Sequence, residues 1–346
     1  MAARSASEKG LRRVATPGAG RLMIGIALAL LAWLFVESPA AAQTAPGPVR
    51  CRVGAYLEAL YDLDVANRTF AADLWLWSVC PDDQFTPFTT MEFLNANSIS
   101  TRLDSSVATS AGVWSQVKVR GTFRYGWDLT DFPFDRHALT IVLEEGVSDT
   151  RSLVYEPDTA NSGYPLGAAS ADWRVEAFRL TGDTGTPNTT FGDPTLNPGE
   201  GSAYTQLVIT TTIERTDLTS FVKLTFVVYI AFLLSLISYF LNLRNPALLT
   251  ARFSVISGAL FAVAVSLRSA TSALSSEEGL TLVDKIHVAA LLVILIDAVA
   301  ALVTQLLMER GRPAAEVTRF DRIVMAGVVV GFVAANAWLI GRAAAG

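Results

Sequence analysis

The stretch from Ala251 to Leu274 limits what this chain can become more than any other. It is long enough to cross a bilayer at about 1.5 Å of rise per residue. Yet it carries Ser254, Ser257, Gly258, Ser266, Arg268, Ser269, Thr271 and Ser272. Helical steps of four and three gather Ser254, Gly258, Phe261, Val265, Arg268 and Ser272 on one face, small or polar at both ends and apolar in the middle. The other faces hold Val255, Ile256, Leu260, Val263 and Leu267. Within a membrane such a stripe must turn from lipid, toward other helices or toward water. One helix cannot enclose water, so a wet stripe requires a ring of copies. The alternative is a helix buried in a bundle, its small residues allowing close packing.

The stripe lies in the second of four apolar stretches, 221–241, 253–274, 283–308 and 323–340, each near the roughly 20 residues a span needs. The chain therefore divides at Ser220, with mixed, turn-rich sequence before it and mostly apolar sequence after it. Arg244 and Arg252 edge the loop after the first span, and Arg310, Arg312, Arg319 and Arg322 mark the loop after the third. The connection between the second and third spans offers Glu277 and Glu278 but no base. The positive-inside rule then puts the basic loops in the cytoplasm and both the N-terminal domain and the C-terminus outside. The start agrees: Arg12, Arg13 and Arg21 precede an apolar core from Leu22 to Phe35, and Ser38-Pro39-Ala40-Ala41-Ala42 offers a cleavage site. Residues 1–42 read as a signal peptide, with a retained anchor helix as the alternative. Net charge is -5 with no basic run, which argues against nucleic acid.

Residues 43–220 are strand material. Alternation runs through Val113, Ser115, Val117 and Val119, through Leu139, Ile141 and Leu143, and through Leu207, Ile209, Thr211 and Ile213. Many short strands in one domain suggest an antiparallel sandwich. The two cysteines, Cys51 and Cys80, both fall here, in an exported half where a disulfide persists. Strands at Val53 to Leu63 and Thr69 to Val79 pair outward from a turn at Asp64-Val65-Ala66-Asn67-Arg68, which brings Cys51 nearly opposite Cys80. A cross-strand bridge is the expectation, with two buried thiols as the alternative. There is no phosphate loop and no nucleophile elbow, and one histidine per half, His137 and His287, argues against zinc. The reading is of no enzyme, no metal and no cofactor. Glu144-Glu145 and Asp82-Asp83 read as solvated charge, because adjacent strand residues face opposite ways. Asp297, mid-span, reads as a polar contact between spans, and His287 as a structural histidine near the outer end of the third.

A sharper motif is Asp131-Phe132-Pro133-Phe134-Asp135, a compact apolar knob in a polar turn and a candidate for a cis peptide. Its two rings should pack on the membrane half, the nearest apolar surface. Phe132-Pro133-Phe134-Asp135, with the strand His137 to Glu144, resembles the signature loop of pentameric ligand-gated ion channels, the Cys-loop receptor superfamily. Glu214-Arg215 just before the first span, Ala251-Arg252 at the second and Leu282-Val283-Asp284-Lys285 opening the third agree with it, so the resemblance covers essentially the whole mature chain. There are departures. The loop-flanking cysteines are absent, with Tyr125 and Leu139 near those places, as in bacterial relatives. Cys80-Pro81-Asp82 stands where the family has W-x-D, and the first span lacks the usual proline.

The resemblance implies an all-β extracellular sandwich followed by a four-helix transmembrane bundle (residues 221–346), assembled as a homopentamer around an axial pore in a bacterial cytoplasmic membrane. Ser254, Gly258, Phe261, Val265, Arg268 and Ser272 would line the pore, Phe261 and Val265 would form its gate, and Arg268 a positive ring toward the outer mouth. The Ala251-Arg252 pair is similar to anion-selective members. A small-molecule agonist would bind between neighbouring sandwiches, in an aromatic cage suited to a cationic amine. Matching positions give Glu92, Phe93, Tyr155, Tyr164, Phe191 and Tyr204 on one side and Trp75, Trp77 and Trp114 on the other. Asp64, Asp135 and Arg215 would form a buried charge cluster that, with Phe132, Pro133 and Phe134, couples sandwich to pore. The partners are then the agonist, inorganic ions and the bilayer. The competing reading is a periplasmic ligand-binding receptor anchored by a non-conducting bundle. A transporter would show internal repeats, and none is visible.

Overall fold

A computed structural model describes residues 47–345 apart from 193, 195–196, 198–200, 242–245 and 275–278. The expected signal peptide, Arg244, Glu277 and Glu278 lie outside the described residues.

Nine strands come first among the described residues, in two sheets. One has the order β4 (Ala96–Thr109), β5 (Gly112–Arg124), β2 (Thr69–Cys80), β1 (Val49–Asp64) and β7 (Leu153–Pro157). The other runs β3 (Met91–Phe93), β6 (Arg136–Asp149), β9 (Tyr204–Arg215) and β8 (Trp173–Gly185). Pairing is antiparallel except between β1 and β7, so the sandwich is mixed at one edge rather than wholly antiparallel. The period-2 pattern explains the layers. Leu57, Leu74, Leu76 and Val119 point inward from one sheet and meet Leu139, Leu143, Leu207 and Ile209 from the other. Each such side chain stabilises the fold by about 1.5–3 kcal/mol relative to exposure.

The β1–β2 turn spans 65–68, and Arg52 pairs with Val79. That register leaves Cys51 and Cys80 opposite each other, and they form a disulfide at the far end of the hairpin. Burial corrects one reading. Glu144 is partly exposed beside Gln206, but Glu145 is buried in the sandwich rather than solvated. It accepts hydrogen bonds from Thr90 Oγ1 (2.7 Å), the Tyr155 hydroxyl, and the backbone amides of Val147 and Ser148. Four donors offset the desolvation of a buried carboxylate.

Four apolar helices follow: α1 (Thr219–Ile237, extended by a 3-10 turn at Ser238–Phe240), α2 (Pro246–Leu274), α3 (Leu282–Glu309) and α4 (Ala314–Ala345). Each is long and apolar enough to cross a membrane. α2 and α4 begin well before their apolar stretches. Pro246 suits a first helical position, and the opening turns of α4, before its apolar stretch, carry Glu316, Arg319, Asp321 and Arg322. α3 starts on a capping box: the Thr281 hydroxyl accepts from the Asp284 amide (3.1 Å) and the Asp284 carboxylate accepts from the Thr281 amide (3.0 Å). Phe232, Ile256, Val263, Ile286, Ile294, Val328 and Phe332 form the bundle core.

Candidate functional site

Three places gather the chemistry. The first is the junction of sandwich and bundle. The Phe132–Pro133 peptide is cis, and Phe132 is only 3% exposed. Its ring packs with Leu129 against Ala270 and Leu274 of α2 and Val283 of α3, while Phe134 packs on the bundle core. The knob thus spends its apolar surface on the membrane half.

Behind it, Asp135 receives Arg215 Nε (2.8 Å) and Arg215 Nη2 (3.0 Å). The guanidinium lies 4.1 Å from the Trp173 ring centre and 4.8 Å from that of Phe132. The third member of the cluster is His137, whose Nε2 sits 2.8 Å from Asp135 Oδ2. The rings of Trp127 (4.8 Å), Trp173 (5.5 Å) and Tyr125 (5.9 Å) box the imidazole. Burial pushes the Asp135 carboxyl up, but hydrogen bonds from His137 and Arg215 outweigh it and hold the group below the ordinary aspartate value. Asp64 does not join this cluster. Its carboxylate accepts from the Asn67 amide (2.9 Å) and Asn67 Nδ2 (2.7 Å), closing its own turn. The signal that could have found His137 is its spacing: Asp135 stands one position before β6 and His137 two residues later, so both side chains turn inward.

The second place is α2. Ser254, Gly258, Phe261, Val265, Arg268 and Ser272 are all exposed, with Phe261 at 71%. Ile256, Ala259, Val263, Ala270 and Leu274 face the other helices instead. The polar stripe is therefore not the seam of the bundle within this chain. The outward faces of the other spans differ in kind: Val222, Phe226 and Leu233 on α1, Leu292, Leu295 and Val299 on α3, Val330 and Val333 on α4. Ser254 returns its hydroxyl to the Thr250 carbonyl (3.0 Å), but Arg268 has no ion-pair partner among the described residues.

Arg252 needs a correction. It is 0% exposed and makes a forked pair with Asp321 of α4 (3.0 and 3.2 Å), which also accepts from Thr304 Oγ1 of α3 (2.8 Å). Its charge is neutralised inside the bundle, so it presents nothing to a pore mouth. Its guanidinium also lies 4.8 Å from the Tyr239 ring centre, and the Tyr239 hydroxyl donates to Asp297 Oδ1 (2.7 Å). One polar network thus joins all four spans. Asp297 is the interspan contact its position suggested. His287 meets the Val283 carbonyl (2.8 Å) and Ser266 of α2 (3.0 Å), a structural pairing.

The third place is the outer face of β1, β2 and β5. Trp75, Trp77 and Trp114 line one open cavity of about 570 Å³ with Tyr56, Gln116 and Asp158. Trp77 lies flat on Gly54, where an added Cβ would come 2.2 Å from the indole, and donates Nε1–H to Asp158 (3.0 Å). The Lys118 ammonium stands 5.1 Å over the Trp75 ring. The other six candidates are not with them. Glu92 and Phe93 border a separate cavity of about 330 Å³ with Phe88 and Ile99. Tyr164 packs on Phe178 (6.3 Å), Tyr204 opens β9, and Phe191 is exposed in the β8–β9 loop at φ 52°. Tyr155 is buried in the sandwich, its hydroxyl spent on Glu145, because β7 turns it inward between the sheets. It presents no face to a ligand. No family model matches the chain, and no curated protein matches it significantly.

Proposed function

We propose that this chain is one subunit of a ligand-gated ion channel, with five copies arranged so that their α2 helices surround the pore. The observation that carries the reading is the outward stripe of α2. A membrane helix that exposes Ser254, Gly258, Arg268 and Ser272 at the ends of its outward face, and buries Ile256, Ala259 and Val263 on the other, is mismatched to lipid. Like helices around a water column resolve the mismatch. Phe261 and Val265 then form an apolar waist that closes by dewetting. Arg268 places positive charge on one side of it and favours anions or weak selectivity. Arg252 contributes nothing to that choice, being neutralised by Asp321.

An agonist between neighbouring sandwiches is supported by the tryptophan-lined cavity. The Lys118 ammonium already covers the Trp75 ring, which leaves Trp77 and Trp114 of that cavity as the aromatics for a cationic amine. A shift of the sandwich reaches α2 through Phe132 on Ala270 and Leu274, and reaches α3 through Val283. The reading as an anchored receptor leaves the stripe without a use.

Recordings from purified protein in planar bilayers test this, with pH steps and a panel of amines and amino acids. We expect stimulus-dependent currents in the wild type and a standing leak in Phe261→Ser, whose waist wets. A particle of single-subunit mass, or silence from both proteins, overturns the proposal.

A further inference from the structure

The polar network inside the bundle does not balance in charge. Asp297, at 0% exposure, accepts the Tyr239 hydroxyl on Oδ1, while its Oδ2 has no hydrogen-bond partner among the described residues. The cation of the network is already committed, because Arg252 gives both Nη groups to Asp321. The charged groups that act on the Tyr239 hydroxyl are Asp297, Arg252 and Asp321, so two negative charges meet one positive. Other cations of the bundle stand elsewhere. Lys223, Lys285 and His287 lie in the opening turns of α1 and α3, at its outer end, and Arg310, Arg312, Arg319 and Arg322 are exposed. A carboxylate buried in a membrane bundle is costly unless a positive partner meets it.

Oxygens gather beside the unpaired one. Ser235 borders Asp297 and gives its own hydrogen to the Phe232 carbonyl (2.8 Å), which leaves its lone pairs free. Ser238, three residues on, shares that side of the helix with Ser235 and Tyr239. Its hydroxyl is fully buried and has no partner among the described residues, and neither has Arg252 Nε.

We propose that Asp297, with Ser235 and Ser238, binds a sodium ion inside the cytoplasmic half of the bundle. The deficit is one charge, which sets the valence. Carboxylate and hydroxyl oxygens are the donors a small hard cation takes, and such an ion keeps waters that serve the remaining polar atoms. The expectation of no metal weighed zinc ligands, and an alkali cation needs none of them. A proton on Oδ2 would cancel the charge, but it would meet no acceptor in hydrogen-bonding geometry and would leave Ser238 unpaired. Tyr239 and Asp321 also line an open cavity of about 510 Å³ at the basic end of the bundle, which gives the ion a watery approach. Bound there, the ion ties the end of α1 to the middle of α3, beside the guanidinium of α2. The site rests on the bundle alone and holds whether or not the pore conducts.

The test is thermal unfolding of the full-length protein in detergent at neutral pH, with sodium chloride replaced stepwise by N-methyl-D-glucamine chloride at constant ionic strength. The wild type should gain roughly 5 °C in midpoint, saturably, as sodium rises to a large excess over its dissociation constant. Asp297→Asn keeps the shape and removes the charge, so it should lose the sodium response and match or exceed the wild type without sodium. Ser238→Ala keeps every charge and should raise the half-saturating sodium concentration about tenfold. Asp83→Asn, a surface acid of the sandwich, should respond as the wild type does. The proposal is overturned if the wild type is indifferent to sodium, the result a held proton would give. It is equally overturned if Asp297→Asn responds like the wild type, if Ser238→Ala leaves the half-saturating concentration unmoved, or if Asp83→Asn abolishes the response.

Discussion

Arg215→Ala is the most informative single change in the extramembrane half. It removes two charge-assisted hydrogen bonds from Asp135, a carboxylate whose side chain is 1% exposed, and two ring contacts. Removing one partner of a buried pair costs about 3–5 kcal/mol. Arg215 is itself 14% exposed and His137 stays on the carboxylate, so the lower end applies. About 3 kcal/mol lowers the folded-to-unfolded ratio on the order of a hundredfold. Urea unfolding of the full chain in detergent, read by tryptophan emission, suits the measurement because Trp173 stacks on the guanidinium. Asp135→Ala and the double variant complete the cycle, with an expected coupling of about 2 kcal/mol. In bilayers, Arg215→Ala should give no gated current. Stability within about 0.5 kcal/mol of wild type, or strictly additive single changes, would refute the reasoning.

Two further outcomes follow from the same geometry. The Asp135 carboxyl is held below its ordinary value, so its contribution is fully present above the unfolded pKa, about 3.9, and is lost as pH falls through the lower folded value. Between about pH 5 and pH 2 the wild type should therefore lose more stability than Asp135→Asn, and equal urea midpoints across that range would count against the pairing. Gly54→Ala puts a Cβ 2.2 Å from the Trp77 indole. It should displace the ring, break its bond to Asp158, cost about 1–3 kcal/mol and shift tryptophan emission to the red; an unchanged spectrum and midpoint would show that the ring has room.

What the chain reveals before folding depends on the range of the interaction. Strand alternation, the 65–68 turn and the four apolar stretches are local patterns, and the folded chain follows them. The Cys51–Cys80 register is also local, since it counts outward from one turn. The failures are pairings chosen across distance. Asp64 has a partner three residues away in Asn67, and that bond wins over the junction cluster. Arg252 finds Asp321 sixty-nine positions later, which nothing around Ala251 announces. Glu145 continues the inward alternation of 139, 141 and 143, and Tyr155 alternates inward with Leu153; what the pattern does not announce is that the two bond to each other inside the sandwich. Helical period gathers the α2 stripe on one face but leaves its direction open; the packing of Ile256, Ala259 and Val263 on the other helices is what turns it outward.

The Arg252–Asp321 pair also orders biosynthesis. A ribosome delivers α2 to the membrane well before α4 exists, so the growing chain carries a guanidinium whose final counter-ion has yet to be translated. A guanidinium buried inside the bundle without its partner is costly to keep there. The second helix is thus matched in charge only once the fourth has packed beside it.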